Sequence, residues 1–225
     1  MLSNNKATDK VLSPSSLAHV VLQTPKFKPM VAFYKAFLGA RATYENDHLA
    51  FLTYDQEHHR IAIAAVPGTL DKIRTSAGLA HIAFSFDSLS DLLLAYEQRK
   101  ARNILPTWCV NHGPTTSMYY QDPDGNQLET QVDNCTVEEA NALMESPEFA
   151  ENPIGVDFDA EDLIRRLRNG EDQSMLMKRL NIGRRGLDSI PVPPAPTIQD
   201  HYEPVEAAPS CDSHLLEMTV SMAFN

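Results

Sequence analysis

Apolar positions in the first half of the chain recur in a fixed order. Leu17-Ala18-His19-Val20 returns 62 residues later as Leu79-Ala80-His81-Ile82, and repetition at a fixed spacing marks a duplicated structural unit. Each copy continues as a strand-like apolar run, Val21-Leu22 in the first and Ala83-Phe84 in the second. Helical spacing comes next. In the first copy it spans Met30 to Leu38, with Phe33, Phe37 and Leu38 on one face and Gly39 as the stop. In the second it starts at Asp87 or Ser88, a suitable N-cap, and carries Leu92, Leu93, Ala95 and Tyr96 to about Ala101.

Three strand-like runs follow each helix. In the first copy they are Arg41–Glu45, Leu49–Tyr54 and Arg60–Val66, with a tight turn at Asn46-Asp47. In the second they are Ile104–Val110, Thr115–Gln121 and Gln127–Val132, with Asp122-Pro123-Asp124-Gly125 as the turn before the last. The order strand-helix-strand-strand-strand therefore occurs twice, in modules of about 14–70 and 75–134. We expect one α+β domain over 14–134, preceded by an extended or disordered arm, 1–13.

Beyond residue 134 the pattern changes. Thr136-Val137-Glu138-Glu139 has the form of a capping box opening a helix to about Met144. Asp159–Arg168 has the spacing of an amphipathic helix, and Asp172–Leu180 of a third. Residues 191–209 contain six prolines and read as extended chain. Leu215–Phe224 is apolar enough to dock on the domain or on a partner.

Charge sharpens that division. Residues 1–134 carry 12 Lys and Arg against 13 Asp and Glu, whereas 135–225 carry 7 against 17. An acidic chain without a basic cluster is a poor candidate for gripping phosphate backbones, so no nucleic acid is expected. No apolar run reaches membrane-spanning length. The polar N-terminus lacks the apolar core of a signal peptide. Cys109, Cys135 and Cys211 are scattered without CxxC spacing, which fits reduced thiols in the cytoplasm.

His19 and His81 hold equivalent places in the two copies, each in an apolar strand. A lone histidine there is more often a satisfied core residue. Two at equivalent places, joined by Glu129 in a half-buried strand, point to a metal, because a buried carboxylate is costly unless paired or bound. Two imidazoles and one carboxylate leave open positions on the metal, the pattern of non-haem Fe(II) sites. His58 and His59, ahead of the last strand of the first copy, read as surface residues.

The repeat, the two histidines and the Pro-x-Gly-x-x-x-Glu ending resemble the vicinal oxygen chelate superfamily. That superfamily includes glyoxalase I, fosfomycin-resistance proteins, bleomycin-binding proteins and type I extradiol dioxygenases. The resemblance covers about 14–134. It implies paired βαβββ modules forming a curved mixed sheet around a metal cleft. Val110 to Glu129 is most similar to the extradiol signature: His112, Met118, Tyr119, Asp122, Pro123, Gly125 and Glu129 fall where that pattern places them. The resemblance implies Fe(II), with Mn(II), Zn(II) or Co(II) as alternatives, held by His19, His81 and Glu129. It also implies a small aromatic substrate, O2 and a homodimer. His112 would act as general acid or hydrogen-bond donor, and Tyr119 would bond a substrate oxygen. Trp108, the only tryptophan, lies just upstream, where it either walls an aromatic pocket or packs in the core.

Two further features bear on the class. Glyoxalase-like members take a further ligand from the last strand of the first module, and Arg60–Val66 contains no carboxylate or amide. Extradiol enzymes commonly place a histidine shortly before the second ligand, and Ala65-Val66-Pro67-Gly68 has none. The competing readings are a divalent-metal isomerase, lyase or hydroxylase of the same fold, and a non-catalytic small-molecule binding protein.

Overall fold

The computed structural model describes residues 11–199 and 202. Most of the N-terminal arm, the Leu215–Phe224 stretch and Cys211 lie outside the described residues. The chain divides into two compact units. The first takes in the chain through Ala80, the turn Gln121–Asn126 and residues 195–199. The second takes in His81–Tyr120 and Gln127–Pro194.

In the first unit β1 (Val20–Gln23) leads into α1 (Phe27–Leu38). Strands β2 (Arg41–Glu45), β3 (Leu49–Thr53) and β4 (Ile61–Ala64) follow. The sheet order is β1-β4-β3-β2, with β1 parallel to β4 and the other pairs antiparallel. α1 buries Met30, Val31, Phe33, Tyr34 and Phe37. At about 1.5–3 kcal/mol per large apolar side chain, this one face anchors the helix. It stops at Gly39, whose φ of +61° is the left-handed conformation that a C-terminal stop uses.

The turn between the last two strands of the second module also belongs to this unit. The buried Asp122 carboxylate accepts from the Tyr34 hydroxyl at 3.1 Å, and from the Asp124 and Asn126 backbone at 3.0 and 2.8 Å. Burial raises the Asp122 pKa, against these hydrogen bonds.

The second unit repeats the order. β5 (His81–Phe86) leads to α2 (Leu89–Lys100), then β6 (Trp108–Asn111), β7 (Thr115–Gln121) and β8 (Gln127–Asp133). Ser88 caps α2, its side chain accepting from the Asp91 N–H. The sheet order β5-β8-β7-β6 matches that of the first unit, again with the first and last strands of the module parallel.

One face of this sheet is apolar. Ile82, Phe84 and Phe86 stand beside Leu128, Thr130 and Val132, and α2 presents Leu89, Leu92, Leu93 and Tyr96. Period-two alternation sends His81, Ala83, Ser85 and Glu129 to the opposite face.

The chain after residue 134 builds further onto the second unit. α3 (Val137–Met144) opens with the expected capping box between Thr136 and Glu139. α4 (Pro147–Glu151) follows, and then β9 (Val156–Asp157), which pairs antiparallel with β6 and extends the sheet. α5 (Ala160–Arg168) is capped by Asp159. It is tied to α2 through Glu161, which meets Tyr96 at 2.7 Å and also Lys100. α6 (Gln173–Leu176) is a single turn, shorter than the spacing of Asp172–Leu180 suggests. No helix among the described residues is long and apolar enough to cross a membrane.

Candidate active site

Four of the five predicted site residues lie in the second unit, and three of them arise from strand register. Trp108 stands opposite Tyr119, and Val110 opposite Ser117. Trp108, Ser117 and Tyr119 therefore share one face of their strand pair. Ser117 hydrogen-bonds Glu129, which places that face with His81 and Glu129.

His81 Nε2 lies 3.0 Å from Glu129 Oε2. Glu129 is buried, at 5% exposure, while His81 keeps 39% of its side chain accessible. Desolvation pushes the Glu129 pKa up, but hydrogen bonds from His81 and Ser117 bring it below the usual value. The same contact with Glu129 raises His81, against desolvation. The carboxylate is thus held ionised in a buried place, with an imidazole nitrogen beside it and one side open.

That pair fits a divalent cation. Donor atoms 3.0 Å apart match neighbouring ligands at right angles with bonds of about 2.1 Å. A metal would take the place of the proton now shared by the pair. Among the described residues no three His, Cys, Asp or Glu side chains form a ready metal-binding group. The second unit supplies a pair.

His19 belongs to the first unit and occupies the matching place, directly before β1. Register makes the equivalence concrete. Val20 pairs with Ile61, and its counterpart Ile82 pairs with Leu128. The counterpart of Glu129 is therefore Ala62, which carries no donor. The exposed His19 ring lies 4.3 Å from that of His59. His59 is not a plain surface residue: it stacks on Phe51 at 4.6 Å and is half-buried, whereas His58 is exposed as expected.

His112 and Tyr119 meet directly. His112 Nε2 is 3.0 Å from the Tyr119 hydroxyl, and His112 Nδ1 is 2.5 Å from the Ile154 carbonyl oxygen. A carbonyl only accepts, so Nδ1 carries the proton. In the neutral ring Nε2 is then an acceptor, and the Tyr119 hydroxyl, which also hydrogen-bonds Glu129, has its one proton to share between the two. Desolvation lowers the His112 pKa despite the Ile154 bond and the Glu129 charge, so the ring is neutral near pH 7. Desolvation and then Glu129 raise the Tyr119 phenol, so it keeps its proton.

Trp108 stacks on Tyr119 at 5.0 Å and meets His112 edge-on at 5.8 Å. Its indole N–H donates to Asp157 at 2.8 Å, and Asp157 pairs with Arg185. A cavity of about 540 Å³ in this unit is lined by Gly113, Cys135, Leu143, Met175 and Arg179 among others, and by none of the five predicted residues.

Residues 16–130 match the Glyoxalase/Bleomycin resistance protein/Dioxygenase superfamily. The chain belongs to that superfamily. It is 49% identical over 144 residues to biphenyl-2,3-diol 1,2-dioxygenase 2 of Rhodococcus globerulus, covering 63% of this chain and 76% of the relative. It is 44% identical over 166 residues to biphenyl-2,3-diol 1,2-dioxygenase 3 of the same organism, covering 72% and 87%. Among solved structures, lactoylglutathione lyase from Agrobacterium tumefaciens is similar over 53% of this chain and 94% of its own, with 18% identity and a TM-score of 0.44.

Sequence reasoning missed the groups after residue 134 that touch the site: Ile154, Asp157, Arg179 and Arg185. The Asn152-Pro153-Ile154-Gly155 turn is their one local signal.

Proposed function

We propose that this superfamily member is a metal-dependent extradiol-type dioxygenase that opens a catechol-like ring with O2. The metal ligands are His19, His81 and Glu129, and the ion is Fe(II), ahead of Mn(II), Zn(II) or Co(II). The observation that carries this reading is the pairing of His81 with an ionised, buried Glu129 on the sheet face that also presents Tyr119, itself bonded to a neutral His112. The dioxygenases named above support the reaction class, and their name supports an aryl-substituted catechol as substrate. Ala62 at the place equivalent to Glu129 favours three protein ligands over four.

When bound, the ion supplies Lewis acidity that lowers the phenol pKa values of the diol and an electronic path between ring and dioxygen. His112 acts first as an acceptor, because its Nε2 is unprotonated at rest, and takes a proton from a substrate hydroxyl. It then holds that proton at Nε2 for return to an oxygen of the opening ring. Tyr119 turns its hydroxyl to a substrate oxygen, and Trp108 packed behind it keeps water from that side. Both atoms of O2 enter the product, so no external reductant is consumed.

The test is oxygen uptake by anaerobically iron-loaded protein offered biphenyl-2,3-diol and simpler catechols. One O2 consumed per diol, with a yellow ring-fission product absent in H81A and H19A, supports the proposal. Iron bound without oxygen uptake would leave a non-oxidative metal enzyme of the same fold.

A further inference from the structure

We infer that residues 152–179, which lie after the duplicated modules, set the tautomer of His112 and thereby its catalytic direction, with Asn152 and Arg179 as positioning residues.

The Ile154 carbonyl is the only group the structure places at hydrogen-bond distance from His112 Nδ1 among the described residues. Which imidazole nitrogen carries the proton is decided by the bond the other makes. Without that carbonyl, nothing fixes the Nε2 lone pair toward Tyr119.

The carbonyl is held by a local framework. Asn152 is buried. Its side-chain oxygen accepts from the Ile154 and Gly155 N–H groups at 3.2 and 2.7 Å, and its amide donates to the Gly155 carbonyl at 3.1 Å. Arg179 bridges this turn to the histidine. One guanidinium nitrogen donates to the His112 carbonyl at 2.9 Å and another to the Asn152 carbonyl at 2.6 Å. The planar fork reaches two fixed acceptors at once, a task a lysine cannot share. Gly155 completes the approach, because a Cβ there would fall 2.2 Å from the Asn111 carbonyl oxygen. The framework therefore joins the two ends of the Nδ1–H···O bond, and neither Asn152 nor Arg179 touches the ring.

The effect on turnover rests on the dioxygenase reading; the effect on the tautomer does not. The test uses the full-length, metal-free protein labelled with 15N-histidine, with the His112 signals assigned by their loss in H112Q. The 15N shifts separate a protonated from an unprotonated ring nitrogen. In the wild type Nδ1 should be the protonated one. R179A should give a mixture of tautomers while His81 and its Glu129 contact stay unchanged. In iron-loaded protein the same variant should lose about ten-fold or more in kcat, within the ~10²–10⁴-fold that a positioned acid–base group supplies. KM and iron content should hold. If R179A does not fold, R179K, which keeps the charge and reaches one carbonyl, decides by the same readouts with a smaller shift. A wild-type His112 protonated on Nε2, or a folded Arg179 variant with the wild-type tautomer, overturns the inference. If iron-loaded wild type leaves catechols intact, the dioxygenase reading fails and the 15N spectra alone decide this one.

Discussion

Substituting Gly155 by alanine tests how tightly the C-terminal segment is built against the end of β6. Gly155 has a φ of +111°, and the added Cβ would lie 2.2 Å from the Asn111 carbonyl oxygen, with the Asn111 carbonyl carbon and His112 Cα at 2.8 Å. All three atoms are backbone, so no side chain can swing aside. Placing alanine in that conformation costs about 1–3 kcal/mol. Forcing the strands apart costs about 1–3 kcal/mol more. Lower entropy of the unfolded chain returns roughly 0.4–1 kcal/mol. A net loss of about 1–5.6 kcal/mol follows, centred near 3, and at ~2–4 °C per kcal/mol for a chain of this size the central value lowers the Tm by roughly 5–15 °C. Trp108, the single tryptophan, reports the transition by fluorescence, because its indole N–H binds Asp157 in β9. G170A is the control. Its φ is +86° but a Cβ would meet nothing within 4 Å, so only the conformational cost applies. Equal Tm losses in the two variants would show that the loop does not press on Asn111 and His112, and would refute the packing argument.

Three other outcomes follow from the same contacts. Burial depresses the His112 pKa, so its neutral form stabilises the fold. That contribution is complete above the ordinary histidine value of about 6.5 and is lost as pH falls through the depressed folded value. The urea midpoint of wild type should therefore drop more steeply below pH 6.5 than that of H112Q, and parallel curves would remove His112 from the titration. Y34F deletes one of four hydrogen bonds to buried Asp122 and should cost about 1–3 kcal/mol in urea unfolding of the first unit; a change under about 0.5 kcal/mol would show that the turn is held without it. Burial pushes the Cys109 thiol up to about 12, so at pH 8 it should resist a thiol reagent in native protein and react fully in denaturant, as followed by peptide mapping.

The duplicated modules were legible because burial writes a period onto sequence. β2 and β7 begin and end where the alternation predicts, Ser88 and Thr136 cap their helices, and Gly39 ends α1. Boundaries slipped where a strand enters a loop: Arg60–Val66 shrinks to Ile61–Ala64, and Ile104–Val110 becomes Trp108–Asn111. The short α4 and the two-residue β9 carry no period and left no signal. His59 misled for a related reason. Its neighbours are polar, and only the fold stacks it between Phe51 and His19.

The candidate site was legible to the extent that its groups sit on the repeat. Duplication makes His19 and His81 stand out, yet the two modules are not chemically equal. The first offers Ala62 where the second offers Glu129. Among the described residues the second module alone carries the added β9 and the Arg179 bridge. These two facts belong together. A histidine that presents one chosen nitrogen needs a fixed acceptor behind the other. The extra segment provides one through the Ile154 carbonyl. Its contacts are made by main-chain atoms and by two polar side chains far along the chain, so no spacing within residues 14–134 could have announced them.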